Sequence, residues 1–462
     1  MTATRIERDS LGEVEVPADA LYGAQTARAV ANFPVSGWTM PREFLAAMGM
    51  IKAAAAAVHG TAGRLPADVA EAIVRAAEDV AANRLDAHFP VDVFQTGSGT
   101  STNMNANEVI ARRATQLLGE GAAAVHPNDH VNMGQSSNDV IPTALHVAAA
   151  LAITRDLLPA LALLREGLTE KARAFDAVVK IGRTHLMDAV PVRLGQEFAG
   201  YEAQVAEAVA VLHFAVQRLC ELPLGGTAVG TGLNAPEGFA AAVCEALADK
   251  ARLPFREASN HFAASGARDA ALLASAALRS TGLALGKVAS DIRLLGSGPR
   301  CGLGELLLPA VQPGSSIMPG KVNPVICESV IQVACQVVGN DAAVAAGATG
   351  GVGSILELNL AMPLIAANLL CSIRLLARVA RVFTERCVRG LAVDEARCRE
   401  LVERSLAMVT VLAPRIGYDA AAEIAKEAHR SGRTVREVCQ AGQVLPPEEL
   451  DELLDARRQT GA

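Results

Sequence analysis

The chain has few aromatic residues, and its charge is not arranged to meet nucleic acid. Only 3% of the 462 residues are Phe, Trp or Tyr, with a single Trp among them. A core without rings must be aliphatic, and Ala, Leu and Val suit closely packed helices better than a β-sandwich. Lys and Arg number 42 against 49 Asp and Glu, giving a net charge of -7, and the basic residues are scattered singly. That pattern excludes the basic face a nucleic-acid partner requires. Nine cysteines form no CxxC pair and no regular spacing. A disulfide framework is therefore not expected, and a reducing compartment is. Cys220, Cys244, Cys327, Cys335 and Cys371 lie in apolar runs, where a thiol serves as a small hydrophobe.

Targeting and nucleotide signals are missing as well. The opening MTATRIERDS is charged and lacks the apolar centre of a signal peptide. Charges interrupt the apolar runs before they reach roughly 20 residues, so no membrane span is expected. The expectation is a soluble, cytoplasmic protein. Two glycine-rich stretches, GGTAVGTGLNAPEG (225–238) and GATGGVGS (347–354), lack the GxxxxGK[ST] and G-x-G-x-x-G orders of phosphate loops. GSGPRCG (296–302) reads as a helix stop.

What is present is helical, and the chain divides into three by its punctuation. Residues 1–137 are mixed: PADALYGAQTARA and FPVSGWTMPREF look extended or turn-like. FLAAMGMIKAAAAAVHG and LPADVAEAIVRAAEDVAA read as helices, the second with Asp68 and Glu71 placed like a capping box. Residues 138–390 contain long proline-free runs (143–158, 160–190, 192–222, 255–298 and 325–362, with 364–413 running on past 390) in which apolar residues recur at three- and four-residue spacing. About five long helices in a bundle are predicted, with apolar faces that need partners and hence an oligomer. Residues 391–462 form a small helical domain, with a Thr434–Glu437 capping box and a proline-started acidic helix in LPPEELDELLDA.

Four islands of small polar residues interrupt this pattern: QTGSGTSTNMNANE (95–108), HPNDHVNMGQSSND (126–139), GRTHLMDAVP (182–191) and GSSIMPGKVNP (314–324). Hydroxyls, Asn side chains and free N–H groups at helix starts together make an anion site without much positive charge. Lys321 and Asn323 precede a predicted helix and would point at a ligand from its positive end. The plainer alternative is loop and capping chemistry, because Ser, Thr, Asn and Gly are ordinary turn residues. His126 and His130, with Asp129 between them, faintly suggest a metal pair, but Pro127 breaks the helix and no third ligand is near. A solvated or anion-binding turn is the stronger reading. His59 and His146 sit within helical runs and read as packed or capping, unlike His185, which follows Thr184 in a polar island.

Together the islands resemble the fumarase/aspartase superfamily. The fourth matches its signature G-S-S-x-M-P-x-K-x-N at Gly314, Ser315, Ser316, Met318, Pro319, Lys321 and Asn323. The likeness runs from LGEVEVPADALYGAQT to IGYDAAAEIAKEAH, and QTGSGT with QSSND sides with the class II fumarate hydratases over the aspartases. That resemblance implies a mostly α, three-domain fold whose long-helix bundle forms a 20-helix core in a homotetramer, each active site shared by three subunits. It implies reversible hydration of fumarate to (S)-malate in the tricarboxylic acid cycle, without metal or organic cofactor.

Carried over by resemblance, Ser315 is the base, with Lys321 and Asn323 stabilising the aci-carboxylate intermediate. His185 handles the leaving water and Glu328 orients its imidazole. Thr100, Ser136, Ser137, Asn138 and Thr184 hold the substrate carboxylates, with Ser98 close by. His126, Asn128 and Asp129 match a second, non-catalytic dicarboxylate site. Departures stand at Ala263, Ala361, Met133 and Gly134, where relatives commonly carry Glu, an aromatic residue, Lys and Ser. The rival readings are an aspartate ammonia-lyase and an inactive structural member of the superfamily.

Overall fold

The computed structural model describes residues 3–461. It is about 62% helical, as the aliphatic composition predicts. Among the described residues, strands occur only in two-stranded pairs. Contact density divides the chain into two compact units. One comprises Met1–Pro159, Val209–Gly282 and Ala334–Ala377; the other comprises Ala160–Ala208, Leu283–Val333 and Arg378–Ala462. The division falls inside long helices. Leu194–Leu219, Asp269–Leu295, Val325–Ala348 and Met362–Arg386 each lend one end to each unit.

In the first unit the helix Arg42–Thr61 packs on Ala67–Ala81 and on Ser137–Ala152. Small residues allow the close approach: a Cβ on Gly49 would stand 2.5 Å from the Ala81 nitrogen. Phe44, Met48, Ile51 and Ala55 are fully buried on the packed face. Ser137–Ala152 begins with a capping box between Ser136 and Asp139, and its residues from Asp139 to Ala150 are all buried.

In the second unit the hairpin Val179–Thr184/Met187–Arg193 sends Ile181 into a core with Val402, Met408, Leu412, Ile424 and Leu450. Each such buried Leu or Ile contributes about 1.5–3 kcal/mol. The Thr434–Glu437 capping box forms as expected, with Thr434 N donating to Glu437 Oε2 at 2.8 Å.

Several local expectations are corrected. AQTARA is helical, within Ala24–Asn32, because Glu108 of another helix accepts the N–H groups of Gly23 and Thr26 at its start. Asp68 and Glu71 form no capping box, since Pro66 occupies the cap and has no side-chain acceptor; Asp68 accepts from Val69 N instead. The run 160–190 is helical only to Ala174 and then becomes the hairpin. Cys335 is exposed and Cys371 half-buried. The expectation of apolar runs too short for a bilayer also fails. Four helical stretches are long and apolar enough to cross one: Arg42–Thr61, Ser137–Ala174, Val325–Ala348 and Met362–Gly390. Single charges interrupt these stretches, yet the mean hydropathy of their most apolar windows stays at 1.2–1.8. In three of the four, the most apolar window is 61–67% buried inside the fold, whereas that of Val325–Ala348 is only 39% buried.

Candidate active site

The first two islands meet in the first unit, at the starts of two helices. Gly99, at φ +74°, caps the helix Thr100–Leu118, a conformation that costs glycine little. Gly97 sits where a Cβ would fall 1.9 Å from the Leu360 carbonyl oxygen, so no larger residue fits this turn. The turn brings Ser98 Oγ to 2.8 Å from Thr100 Oγ1, which in turn lies 2.8 Å from Ser137 Oγ. Asn138 donates from its backbone to Ser136 Oγ and from its side chain to the Ala228 carbonyl. Five predicted carboxylate binders thus form one hydrogen-bonded group at two positive helix ends.

Thr100, Ser136 and Ser137 open on a cavity of about 510 Å³ that Asn128, Asp129 and Met133 also line. His126 lines a different cavity, of about 960 Å³, together with Asn128. Its Nδ1 accepts from Asp129 N at 3.0 Å, and its own N–H donates to His130 Nδ1. His126 therefore caps the five-residue turn Pro127–Val131, which contains His130. Among the described residues no cluster of three or more His, Cys, Asp or Glu is gathered for a metal.

Beneath this group lie two buried charges that sequence reasoning missed. Asp139 accepts from the N–H groups of Ser136, Gly225 and Thr227, fastening the glycine-rich loop 225–238 to the second island. Burial raises its pKa, partly offset by those donors and by Lys52. Lys52, fully buried in Arg42–Thr61, donates to Asn132 Oδ1 and Gln135 Oε1. Burial pulls its pKa down to about 7. Signals for both were present. The S-x-x-D order of 136–139 is a capping box, and Lys52 is a lone lysine in an alanine run.

The third and fourth islands belong to the second unit. His185 and Leu186 form the two-residue tip of the hairpin, at φ +55° and +62°. That is the primed-turn geometry of tight hairpins, normally given to Asn or Gly, so two larger residues here carry backbone strain. Thr184, His185, Leu186 and Met187 are all exposed. Next to the tip, Arg183 makes two hydrogen bonds, at 2.8 and 3.0 Å, with the fully buried Glu305. Lys180 donates to Glu197, whose pKa burial raises.

The signature loop ends where the helix Val325–Ala348 begins. Ser315 Oγ accepts from the N–H groups of Ile317 and Met318, at 3.2 and 3.1 Å. Two such donors favour a negatively charged oxygen. Asn323 donates to the Gly314 carbonyl, and Gly314 N donates to the Lys321 carbonyl. A Cβ on Gly314 would lie 2.5 Å from that same oxygen, so only glycine closes the loop. Lys321 is exposed and makes no ion pair among the described residues. Glu328 stands in the first helical turn, half-buried, and among the described residues no hydrogen bond joins it to His185.

Each unit therefore presents helix-start donors suited to a carboxylate, and the second adds a hydroxyl with anion-stabilising contacts. Such a set fits a lyase that removes a proton beside a carboxylate. The family model described as Lyase matches residues 12–339, and that described as Fumarase C C-terminus matches residues 408–461. The chain is 52% identical over 461 residues to fumarate hydratase class II 2 of Bradyrhizobium diazoefficiens, covering 99% of this chain and 97% of that one. It is 54% identical over 458 residues to the class II fumarate hydratase of Halobacterium salinarum, covering 99% and 97%. The structure of a class II fumarase from Schistosoma mansoni superposes with a TM-score of 0.95 at 42% identity, covering 99% of each chain. The chain belongs to the class II fumarate hydratase family.

Proposed function

We propose that the protein is a hydro-lyase that reversibly hydrates fumarate to (S)-malate. The observation that carries this reading is the near full-length likeness to enzymes named class II fumarate hydratase. The geometry supports it. Thr100, Ser136, Ser137 and Asn138, with Ser98 behind them and Thr184 from the hairpin, hold the carboxylates of the substrate. Ser315, whose oxygen already accepts two N–H groups, takes the C3 proton of malate. The aci-carboxylate then carries two negative charges, which Lys321, Asn323 and the helix start at Val325 stabilise. His185 protonates and positions the hydroxyl leaving as water, and Glu328 orients the imidazole.

Among the described residues no hydrogen bond joins His185 to Glu328, and in the proposed assembly the two come from different subunits. We place the protein in a homotetramer with three subunits at each site and a 20-helix core. The partly exposed apolar helix Val325–Ala348 supports that arrangement. We further place the enzyme in the cytoplasm and in the tricarboxylic acid cycle, and take 1–137, 138–390 and 391–462 as its domains. His126, Asn128 and Asp129 are the proposed second dicarboxylate site. The mechanism invokes no metal or organic cofactor.

Ultraviolet absorbance of the purified protein tests the reading. Loss of the conjugated double bond from fumarate in water, and its appearance from malate but not aspartate, is the expected result. Signal from aspartate alone makes the protein an ammonia-lyase, and no signal from any of the three makes it an inactive member.

A further inference from the structure

A lysine in the middle of an alanine helix is an expensive core residue. Lys52 is 0% exposed, and taking an ammonium out of water costs several kcal/mol that its hydrogen bonds offset only in part. If the fold alone were served, a methionine of similar length would pack there at lower cost. What the ammonium holds is specific. It donates to Asn132 Oδ1 at 2.9 Å and to Gln135 Oε1 at 3.0 Å. Asn103 donates to the same Asn132 oxygen, and Asn132 Nδ2 returns to the Gln135 carbonyl at 3.1 Å. The Gln135 amide closes onto the carbonyls of Val131 and Met133. Residues 131–135 are thereby gathered around one buried cation. The three residues that follow are Ser136, Ser137 and Asn138, two of which line the 510 Å³ cavity.

We propose that Lys52 is a positioning residue for the substrate: through Asn132 and Gln135 it sets the loop that presents Ser136, Ser137 and Asn138 to a carboxylate. The inference rests on the hydratase reading above. Lys52 itself does not touch the cavity. Asp139 is the charged group facing it, and that carboxylate is committed to three backbone N–H groups. Without the ammonium, the side-chain oxygens of Asn132 and Gln135 lose a shared donor, and the loop loses its register before the helix cap.

The test uses the full chain and its hydration kinetics in both directions. K52M is expected to raise KM for fumarate and for malate roughly tenfold while kcat stays within about threefold, the split that marks lost ground-state binding. K52Q keeps one amide donor and is expected to recover part of that KM. A folded K52M with an unchanged KM overturns the proposal, and a fall in melting temperature with unchanged KM assigns Lys52 a structural role only. If K52M does not fold, K52Q decides: with its shorter reach and a neutral donor it is expected to raise KM in the same direction by a smaller factor, and an unchanged KM overturns the proposal. Absence of turnover in the wild type would instead defeat the hydratase reading, which is a separate result.

Discussion

The island at 126–139 and the loop at 314–324 share Ser, Asn, Gly and Pro, yet they are held in opposite ways. In the first, the Ser137 hydroxyl meets Thr100 of another island, Asn132 and Gln135 accept from Lys52, and Asp139 holds the glycine-rich loop, both of these charged residues being fully buried. In the second, the contacts are the loop's own: Gly314 with Lys321, Asn323 with Gly314, Ser315 with the two amides that follow it. Ile317, Met318 and Val322 stand exposed around it. The carboxylate cradle is thus set by the fold, while the group proposed to do chemistry is set by local geometry. Mutations should divide accordingly, with stability lost in one region and turnover in the other.

The largest effect that would break the comparison is at Ser315. Ser315→Ala is expected to lower kcat by roughly 10³-fold, within the range for loss of a general base. Because the side chain supports only its own loop, the melting temperature should stay within a degree or two of wild type. Near-normal turnover in Ser315→Ala would remove the base assignment. A large drop in melting temperature would show instead that the loop carries part of the fold.

Asp139→Asn is the converse. Three N–H groups converge on this carboxylate, and an amide can accept from only some of them. A loss of about 3 kcal/mol in urea denaturation is expected from buried donors left unpaired. Stability within 1 kcal/mol of wild type would mean that the loop at 225–238 is fastened elsewhere.

What was legible in the sequence divides along the same line. The islands were visible because their chemistry is local, and so was the Thr434–Glu437 cap, which needs only residues three apart. The start of Ala24–Asn32 was not visible, because Glu108, far along the chain, supplies its cap. Asp68 and Glu71 had the right spacing, but Pro66 already occupied the cap position. The hairpin carrying His185 was hidden inside a proline-free run, since its primed turn uses His and Leu where Asn and Gly would have announced it. Lys52 does not stand out in the helical run FLAAMGMIKAAAAAVHG, because its meaning depends on Asn132 and Gln135, some 80 residues away.

A smaller effect sharpens the account of the buried support. In the unfolded chain a lysine binds its proton below its ordinary value of 10.5, whereas Lys52 in the fold does so only below about 7. Between those values the unfolded state holds more protons, so the contribution of Lys52 to stability rises with pH. The stability of K52M relative to wild type should therefore grow as pH falls from about 10 to about 7, then level off. Paired urea titrations across that range measure it. A difference independent of pH would mean that Lys52 keeps its charge throughout.

The smallest expected effect lies at the hairpin tip, where neither description fully applies. His185 is exposed like the signature loop, but Arg183 beside it is anchored on buried Glu305. Leu186 holds φ +62°, which costs a non-glycine residue about 1–2 kcal/mol. Glycine would remove that strain while adding about 0.4–1 kcal/mol of unfolded-chain freedom, so Leu186→Gly should change stability by no more than about 1 kcal/mol. Its kinetic effect separates two origins of the strain. If the tip is strained in order to aim His185, the relaxed turn should lose kcat several-fold at constant stability. If the strain merely follows from the register of Thr184 with Met187, kcat should stay unchanged, and the aim of His185 would then rest on Arg183 and Glu305 alone.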